Sequence, residues 1–401
     1  MGLNNVQPLV ISRLCIATSL GTGLEATLAS LRQDIIGLQP CRFDTVKLPT
    51  YVGEVPGIDE EVLAPDLAGF DCRNNRLAQF VLKQDGFADA VTTARRKYGD
   101  DRIGVFLGTS TSGILQSELA YRRRTPDGQL PADFVYAGTH NSFSVADFVR
   151  HYLGLSGPAV TLSAACASSA KVFATAARMI AVGACDAAIV GGVDSLCLTT
   201  LYGFYSLDLL SPQPCRPFDV ERNGISIGEA AGFSLLEKPS RYEGESATMV
   251  LGVGESSDAY HMSTPHPEGL GAQLAMTRAL TAAKLTPDEI DYVNLHGTAT
   301  RTGDISEDRA ISALFGTKKP CSSTKGRTGH TLGAAGIVEA IFTTLSIQND
   351  LLPGGVSTTN PDPALKSRYI IGAQDARIDY AMSNSFGFGG ANCSLILARA
   401  R

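Results

Sequence analysis

The sequence has no tryptophan, no Cys-x-x-Cys pair and no uninterrupted apolar run of about twenty residues. The missing Cys-x-x-Cys spacing argues against a zinc ribbon or a dithiol motif. The missing apolar run argues against a membrane-spanning helix. The opening residues, MGLNNVQPLVISRLC, lack the basic, apolar and cleavage order of a signal peptide. Positive charge is also short: the net charge is -6, so global attraction to nucleic acid is not expected. The nine cysteines are an odd number, which fits a reduced, cytoplasmic chain better than a disulfide framework.

What is present points to a layered α/β protein. The 401 residues are 44% hydrophobic and 18% charged, enough for two or three domain-sized units. Short apolar runs at Ile103 to Leu107, Ala187 to Val190 and Tyr292 to Leu295 read as buried strands. Alanine-rich stretches at Ala167 to Val182 and Ala334 to Ile347 read as buried helices. Strands alternating with helices predict α/β layers. Ser211 to Arg216 and Leu352 to Pro363 read as loops. The polar span Lys238 to Ser246 suggests a break near residue 240, dividing the chain into units 1–240 and 241–401.

Four short segments carry candidate chemistry. The first, TLSAACASSA at Thr161 to Ala170, ends a strand-like approach and opens a helix pattern. Cys166 would then sit at a helix N-terminus, where unpaired N–H groups and the helix dipole favour the nucleophilic thiolate. Alone, the segment equally suits a small buried cysteine packing like alanine. The second, NLHGTATRTGD, runs a strand into His296, with Thr298 and Thr300 beyond it. The third, SSTKGRTGHTLGAAG, places Lys325 and His330 five apart among glycines. A phosphate loop is an alternative there, but the G-x-x-x-x-G-K-[ST] order is absent. The fourth, NSFGFGGAN, sets Phe386 and Phe388 among glycines. Its backbone N–H groups suit an oxyanion and its rings suit a gate.

Together the segments resemble the elongating β-ketoacyl-[acyl carrier protein] synthases. The stretch RPFDVERNGISIGEAAG at Arg216 to Gly232 is similar to a further signature of that family. Asn223 and Ala230 depart from the Asp and Gly usual there. The resemblance implies a thiolase-like five-layered α-β-α-β-α fold from two similar halves. It implies that Cys166 carries the acyl group and that His296, Lys325 and His330 complete the catalytic set. The N–H groups of Cys166 and Phe388 would form an oxyanion hole, with Phe388 also the gate. Thr298 and Thr300 would hydrogen-bond pantetheine, and Phe386 would join them as a substrate-binding residue. Asp304, Glu307 and Glu339 would support the site, with Glu339 pairing Lys325. No metal or diffusible cofactor is implied, because substrates arrive on acyl carrier protein.

That acidic partner predicts basic docking residues, for which Arg73, Arg76 and the cluster Arg122, Arg123 and Arg124 are candidates. The family also implies a homodimer, or a heterodimer with a chain-length-factor homologue. The segments FDCRNNRLA, VDSLCLTTLYGF and GTATRTGD are similar to ketosynthases of aryl polyene pathways. A non-catalytic chain-length-factor-like subunit is the competing reading from another class. It is disfavoured because Cys166, His296, Lys325 and His330 are all present. A thiolase acting on coenzyme A esters would need a second, basic cysteine late in the chain. Cys393 is late but begins an apolar strand. A cysteine hydrolase would leave the lysine segment unexplained.

Overall fold

A computed structural model describes residues 7–242 and 248–400. Ten strands form its framework: β1 (Leu9–Thr18), β2 (Ile103–Gly108), β3 (Ala159–Leu162), β4 (Ala187–Asp194), β5 (Ala230–Glu237), β6 (Thr248–Ser257), β7 (Tyr292–Asn294), β8 (Pro320–Ser322), β9 (Tyr380–Gly387) and β10 (Ala391–Arg399). The first five lie in the order β1-β5-β4-β2-β3. The second five lie in the order β6-β10-β9-β7-β8. The senses match as well: in each half the first two pairings are antiparallel and the last two parallel. One pattern is therefore used twice. The halves join where β1 pairs β6 across Leu9–Ile11 and Thr248–Val250.

Helices complete five layers. α1 (Arg73–Leu82), α2 (Phe87–Tyr98) and α3 (Ser144–Tyr152) cover the outer face of the first half. Their Leu77, Val81, Val91 and Phe148 pack with Val105 and Ile189 of the sheet. α4 (Ser168–Ala181) and α7 (Ala335–Asn349) fill the middle layer, where Val172 and Phe173 join Ile337 and Ile341 in one core. α5 (Leu270–Ala283) and α6 (Arg301–Phe315) cover the far face through Met276 and Ile311, against Val293, Met382 and Ile396. This layering explains the short unbroken apolar runs. In β2, Ile103, Val105 and Leu107 face the outer core while Phe106 faces the middle one. Both faces are covered, so polar residues have no place in the alternation.

The two middle helices touch because their side chains are small. A Cβ at Gly336 would lie 2.4 Å from the Ala170 nitrogen. The expected helices 167–182 and 334–347 form over Ser168–Ala181 and Ala335–Asn349. β5 ends at Glu237 and β6 begins at Thr248. The proposed break near 240 lies between them, although 243–246 of the polar span fall outside the described residues. Among the described residues, no helix is long and apolar enough to cross a membrane.

Candidate active site

Four chain segments from both halves converge at one end of the middle layer. The strand β3 ends at Leu162, and the chain turns sharply into α4. Ala165 takes a left-handed conformation, φ 48°, and Cys166 follows it just ahead of the helix. Two more non-glycine residues near the site share this geometry: Ala299 (φ 65°), between Thr298 and Thr300, and Leu332 (φ 52°), two residues after His330. Each such residue stores of the order of 1–3 kcal/mol and persists only where its surroundings hold it.

The central contact joins the halves. The His330 Nε2 lies 3.0 Å from the Cys166 Sγ, across 164 residues of sequence. The Leu332 N–H donates to the His330 Nδ1 at 3.3 Å, so the His330 ring proton sits on Nε2, facing the thiol. The Lys325 Nζ donates to the His296 Nδ1 at 3.2 Å, placing the His296 proton on its Nε2 as well. The two imidazoles meet edge to face with centroids 5.3 Å apart. Burial drives both histidines well below their ordinary range, with the Lys325 charge adding to it, so both are neutral. Neutral rings with Nε2–H groups are donors to developing negative charge.

The supporting carboxylates are buried. Glu339 accepts from the Lys325 Nζ. Burial pushes Glu339 up to about 7, against the lowering pull of Lys325. Glu307 accepts from the His296 N–H at 2.8 Å and the Gly297 N–H at 2.7 Å. Burial pushes it up to about 8 in spite of those bonds. Asp304 accepts from the Phe218 and Ala299 N–H groups and faces Arg222 at 3.8 Å, with burial raising it to about 6.

At Cys166 burial opposes the helix N-terminus. Burial pushes its thiol up to about 11; the Lys325 charge and the Phe388 N–H offset only part of this. Alkylation of Cys166 by iodoacetamide should therefore climb roughly tenfold per pH unit from pH 7 to 10. A rate already level at pH 7 would mean the thiolate is the resting form.

Cys166, His296 and His330 line an open cleft with about 90 Å³ of room for water-sized groups. Thr298, Thr300, Phe386 and Phe388 also line it. The Thr298 and Thr300 hydroxyls are 3.0 Å apart. The Phe386 ring lies 6.1 Å from His296, and Phe388 leans on Phe204 at 5.8 Å. Sequence reasoning missed Phe204, Leu209, Asp258 and His261, which also line the cleft. Their segments have no periodicity or spacing that marks a site. One ring nitrogen of each histidine and the Cys166 Sγ fall within 4.8 Å of one another, a set that could hold a metal by residue type. Both Nδ1 atoms are engaged and both Nε2 atoms carry protons, which suits hydrogen bonding rather than ligation.

The docking arginines are not equivalent. Arg73 is corrected: its side chain is only 11% exposed and forks onto fully buried Glu229 at 2.7 and 2.8 Å, with Asp59 beyond. It is a cross-brace, not an open cation. Arg73→Ala should lower stability by up to about 3–5 kcal/mol, since it leaves buried Glu229 without its counter-charge, held only by the Val55 and Leu196 N–H groups. Thermal unfolding checks this, and unchanged stability would refute it. Arg76 forks onto Asp71, Arg122 pairs Asp44 and Arg123 pairs Asp133. Arg124 stacks over Tyr121 at 5.1 Å and makes no carboxylate contact among the described residues.

A doubled βαβα framework with cysteine, two histidines and lysine at its seam defines an acyl-transferring enzyme of thiolase-like fold. The β-ketoacyl synthase N-terminal domain model matches residues 76–241 and the C-terminal domain model matches residues 247–359. The chain is 33% identical to the mitochondrial 3-oxoacyl-[acyl-carrier-protein] synthase of Arabidopsis thaliana, over 97% of this chain and 92% of that one. It is 34% identical to 3-oxoacyl-[acyl-carrier-protein] synthase 2 of Vibrio cholerae serotype O1, over 82% of this chain and 86% of that one. A chain from the complex of the ketosynthase ApeO with its chain length factor ApeC, from Xenorhabdus doucetiae, superposes with a TM-score of 0.89. It is 38% identical over 98% of both chains. The chain belongs to the β-ketoacyl synthase family. It is a ketosynthase, an acyltransferase of fatty acid or polyketide synthesis.

Proposed function

We propose that Cys166 is the acyl-bearing nucleophile and that His296 and His330 drive decarboxylation of malonyl carrier protein. The 3.0 Å contact between the His330 Nε2 and the Cys166 Sγ carries this reading. In the first half-reaction the Cys166 sulfur attacks the carrier-bound thioester. The carbon–sulfur bond to pantetheine breaks, and the proton lost by Cys166 ends on the departing pantetheine thiol. The N–H groups of Cys166 and Phe388 hold the tetrahedral oxyanion. In the second, malonyl thioester loses carbon dioxide and the electron pair passes to an enolate. Its oxygen lies against the Nε2–H groups of His296 and His330. The enolate carbon attacks the Cys166 thioester, the new carbon–carbon bond forms, and Cys166 leaves and regains a proton from solvent. Lys325 fixes the His296 tautomer and is itself held by Glu339. Thr298 and Thr300 take the pantetheine amides, with Phe386 packing beside the arm. Asp304 and Glu307 hold the loop that bears His296. Incubation with acyl-carrier protein and intact-mass analysis tests the first half-reaction. An acyl increment on the Cys166 peptide is expected, and its absence there overturns the reading.

For partners, this reading takes an acidic acyl carrier protein, with Arg124 as the docking cation the geometry leaves open. It also takes a second subunit of like fold, either another copy or a chain-length-factor homologue. β3 supports this: it pairs only β2 among the described strands, and its four residues are half-buried. Similarity to a chain from a ketosynthase–chain length factor complex favours the heterodimer. The aryl polyene assignment rests on FDCRNNRLA, VDSLCLTTLYGF and GTATRTGD, and predicts aryl-primed polyenoyl chains as substrates. A panel of acyl primers on carrier protein, scored for condensation products, tests it. Light scattering tests the assembly, for which a monomer alone and with the homologue would be the contrary result. The cytoplasm is the expected location.

A further inference from the structure

Asp194 is a buried carboxylate that the proposed chemistry leaves without a role. It ends β4 and is 1% exposed. Its oxygens take an unusual number of donors from the turn that follows β2. The Thr109 hydroxyl reaches it at 2.6 Å and the Ser110 hydroxyl at 2.5 Å. The Ser110 N–H follows at 2.8 Å, and the Thr111 N–H and hydroxyl at 2.9 Å. All of these belong to the first half of the molecule. One more donor comes from the second half: the Gly333 N–H, at 2.5 Å from the Asp194 Oδ2.

Gly333 is three residues beyond His330. Between them Leu332 keeps its left-handed backbone and points its N–H at the His330 Nδ1. The seat under Gly333 is tight: a Cβ there would lie 2.7 Å from the Ser110 nitrogen and 2.8 Å from the Asp194 Oδ2. An amide nitrogen at that Oδ2 would meet the Gly333 N–H donor to donor. A serine or threonine hydroxyl can rotate to accept; a backbone N–H cannot.

We infer that Asp194 is a positioning residue for the condensation: it clamps the turn after His330 to the first half, so that the ring presents its Nε2–H to Cys166. The role rests on the proposed reading of Cys166 and His330. It gives the reaction a dependence on a residue that touches neither substrate nor nucleophile. Asp194 acts on the thiol in a second, weaker way: burial and then the Glu339 charge do more to hold Cys166 up, and the negative charge of Asp194 adds to them.

Those two actions separate the effects of Asp194→Asn. The expected result is malonyl carrier protein decarboxylation slowed about 10²-fold, as for a misplaced reacting group. Alkylation of Cys166 by iodoacetamide at pH 8 should hold or rise, because a neutral side chain no longer opposes the thiolate. Gly333→Ala should slow decarboxylation as much without speeding alkylation, since it loosens the clamp and leaves the charge. Decarboxylation by D194N within about threefold of the unmutated enzyme would overturn the role, being far below the roughly 10²-fold loss that misplacement brings. So would alkylation that falls in step with it, the mark of general disorder. If D194N is not recovered folded, G333A decides: a folded protein that decarboxylates normally overturns the clamp. The unmutated enzyme separates the layers. If it neither decarboxylates nor is alkylated at Cys166, the site reading and the Asp194 role fall together. If it does both and D194N matches it, only the Asp194 role falls.

Discussion

Replacing Cys166 by alanine is expected to abolish acyl transfer while leaving decarboxylation of malonyl carrier protein in place. The covalent step has one acceptor in this geometry, because the Cys166 Sγ is the thiol facing the His330 Nε2. Loss of the nucleophile should lower condensation by at least about 10³-fold, the scale seen when one member of a catalytic unit is removed. The decarboxylation machinery is separate. It consists of two Nε2–H donors whose tautomers are set by Lys325 and by the Leu332 N–H, neither of which involves the sulfur. Carbon dioxide release by Cys166→Ala should thus stay within about threefold of the unmutated enzyme, since no donor to the enolate is lost. Parallel loss of both half-reactions would mean that Cys166 is needed to shape the site as well as to carry the acyl group.

The converse variants should invert the pattern. His296→Ala and His330→Ala each remove one donor to the enolate oxygen in a buried site, where a lost donor costs about 10²–10³-fold in rate. Acyl transfer to Cys166 should fall less in both. Its oxyanion is assigned to backbone N–H groups, which side-chain truncation leaves in place. The two histidines should also differ. His330 touches the Sγ and His296 does not make that contact, so His330→Ala is expected to perturb the transfer step more. Single-turnover measurement of acyl-enzyme formation, beside carbon dioxide release, resolves these steps. Equal losses in both for His296→Ala would refute the division of labour.

The site was legible in the sequence to the extent that local pattern encodes it. Cys166 follows a strand and precedes an alanine-rich helix, and His296 ends an apolar run. Lys325, His330 and Phe388 sit among glycines that their backbone needs. These signals are all within ten or fifteen residues of the chemistry. Asp194 and Asp258 carry no such signal, because their partners are supplied by remote segments: Gly333 lies 139 residues from Asp194 and Asn392 lies 134 from Asp258. Arg73 was misread for the same reason, since the Glu229 that buries it is 156 residues away. The upward push of burial on Cys166 was not legible, because helix position is a local feature and burial is not. The repeat of strand order was hidden by unequal lengths: β2 has six residues and its counterpart β7 has three.

The contact between Ala170 and Gly336 has a consequence for how the protein is made. During synthesis α4 leaves the ribosome long before α7, with about 155 residues still to come between Ala181 and Gly336. At about 5–20 residues per second that interval is roughly eight to thirty seconds. Throughout it, the side of α4 that will meet Ile337 and Ile341 has no mate, while its other side can already pack on Phe106 and Val190 of its own half. A nascent chain of this kind is a natural client for a holding chaperone, and a polypeptide truncated before α7 should be retained by one rather than released.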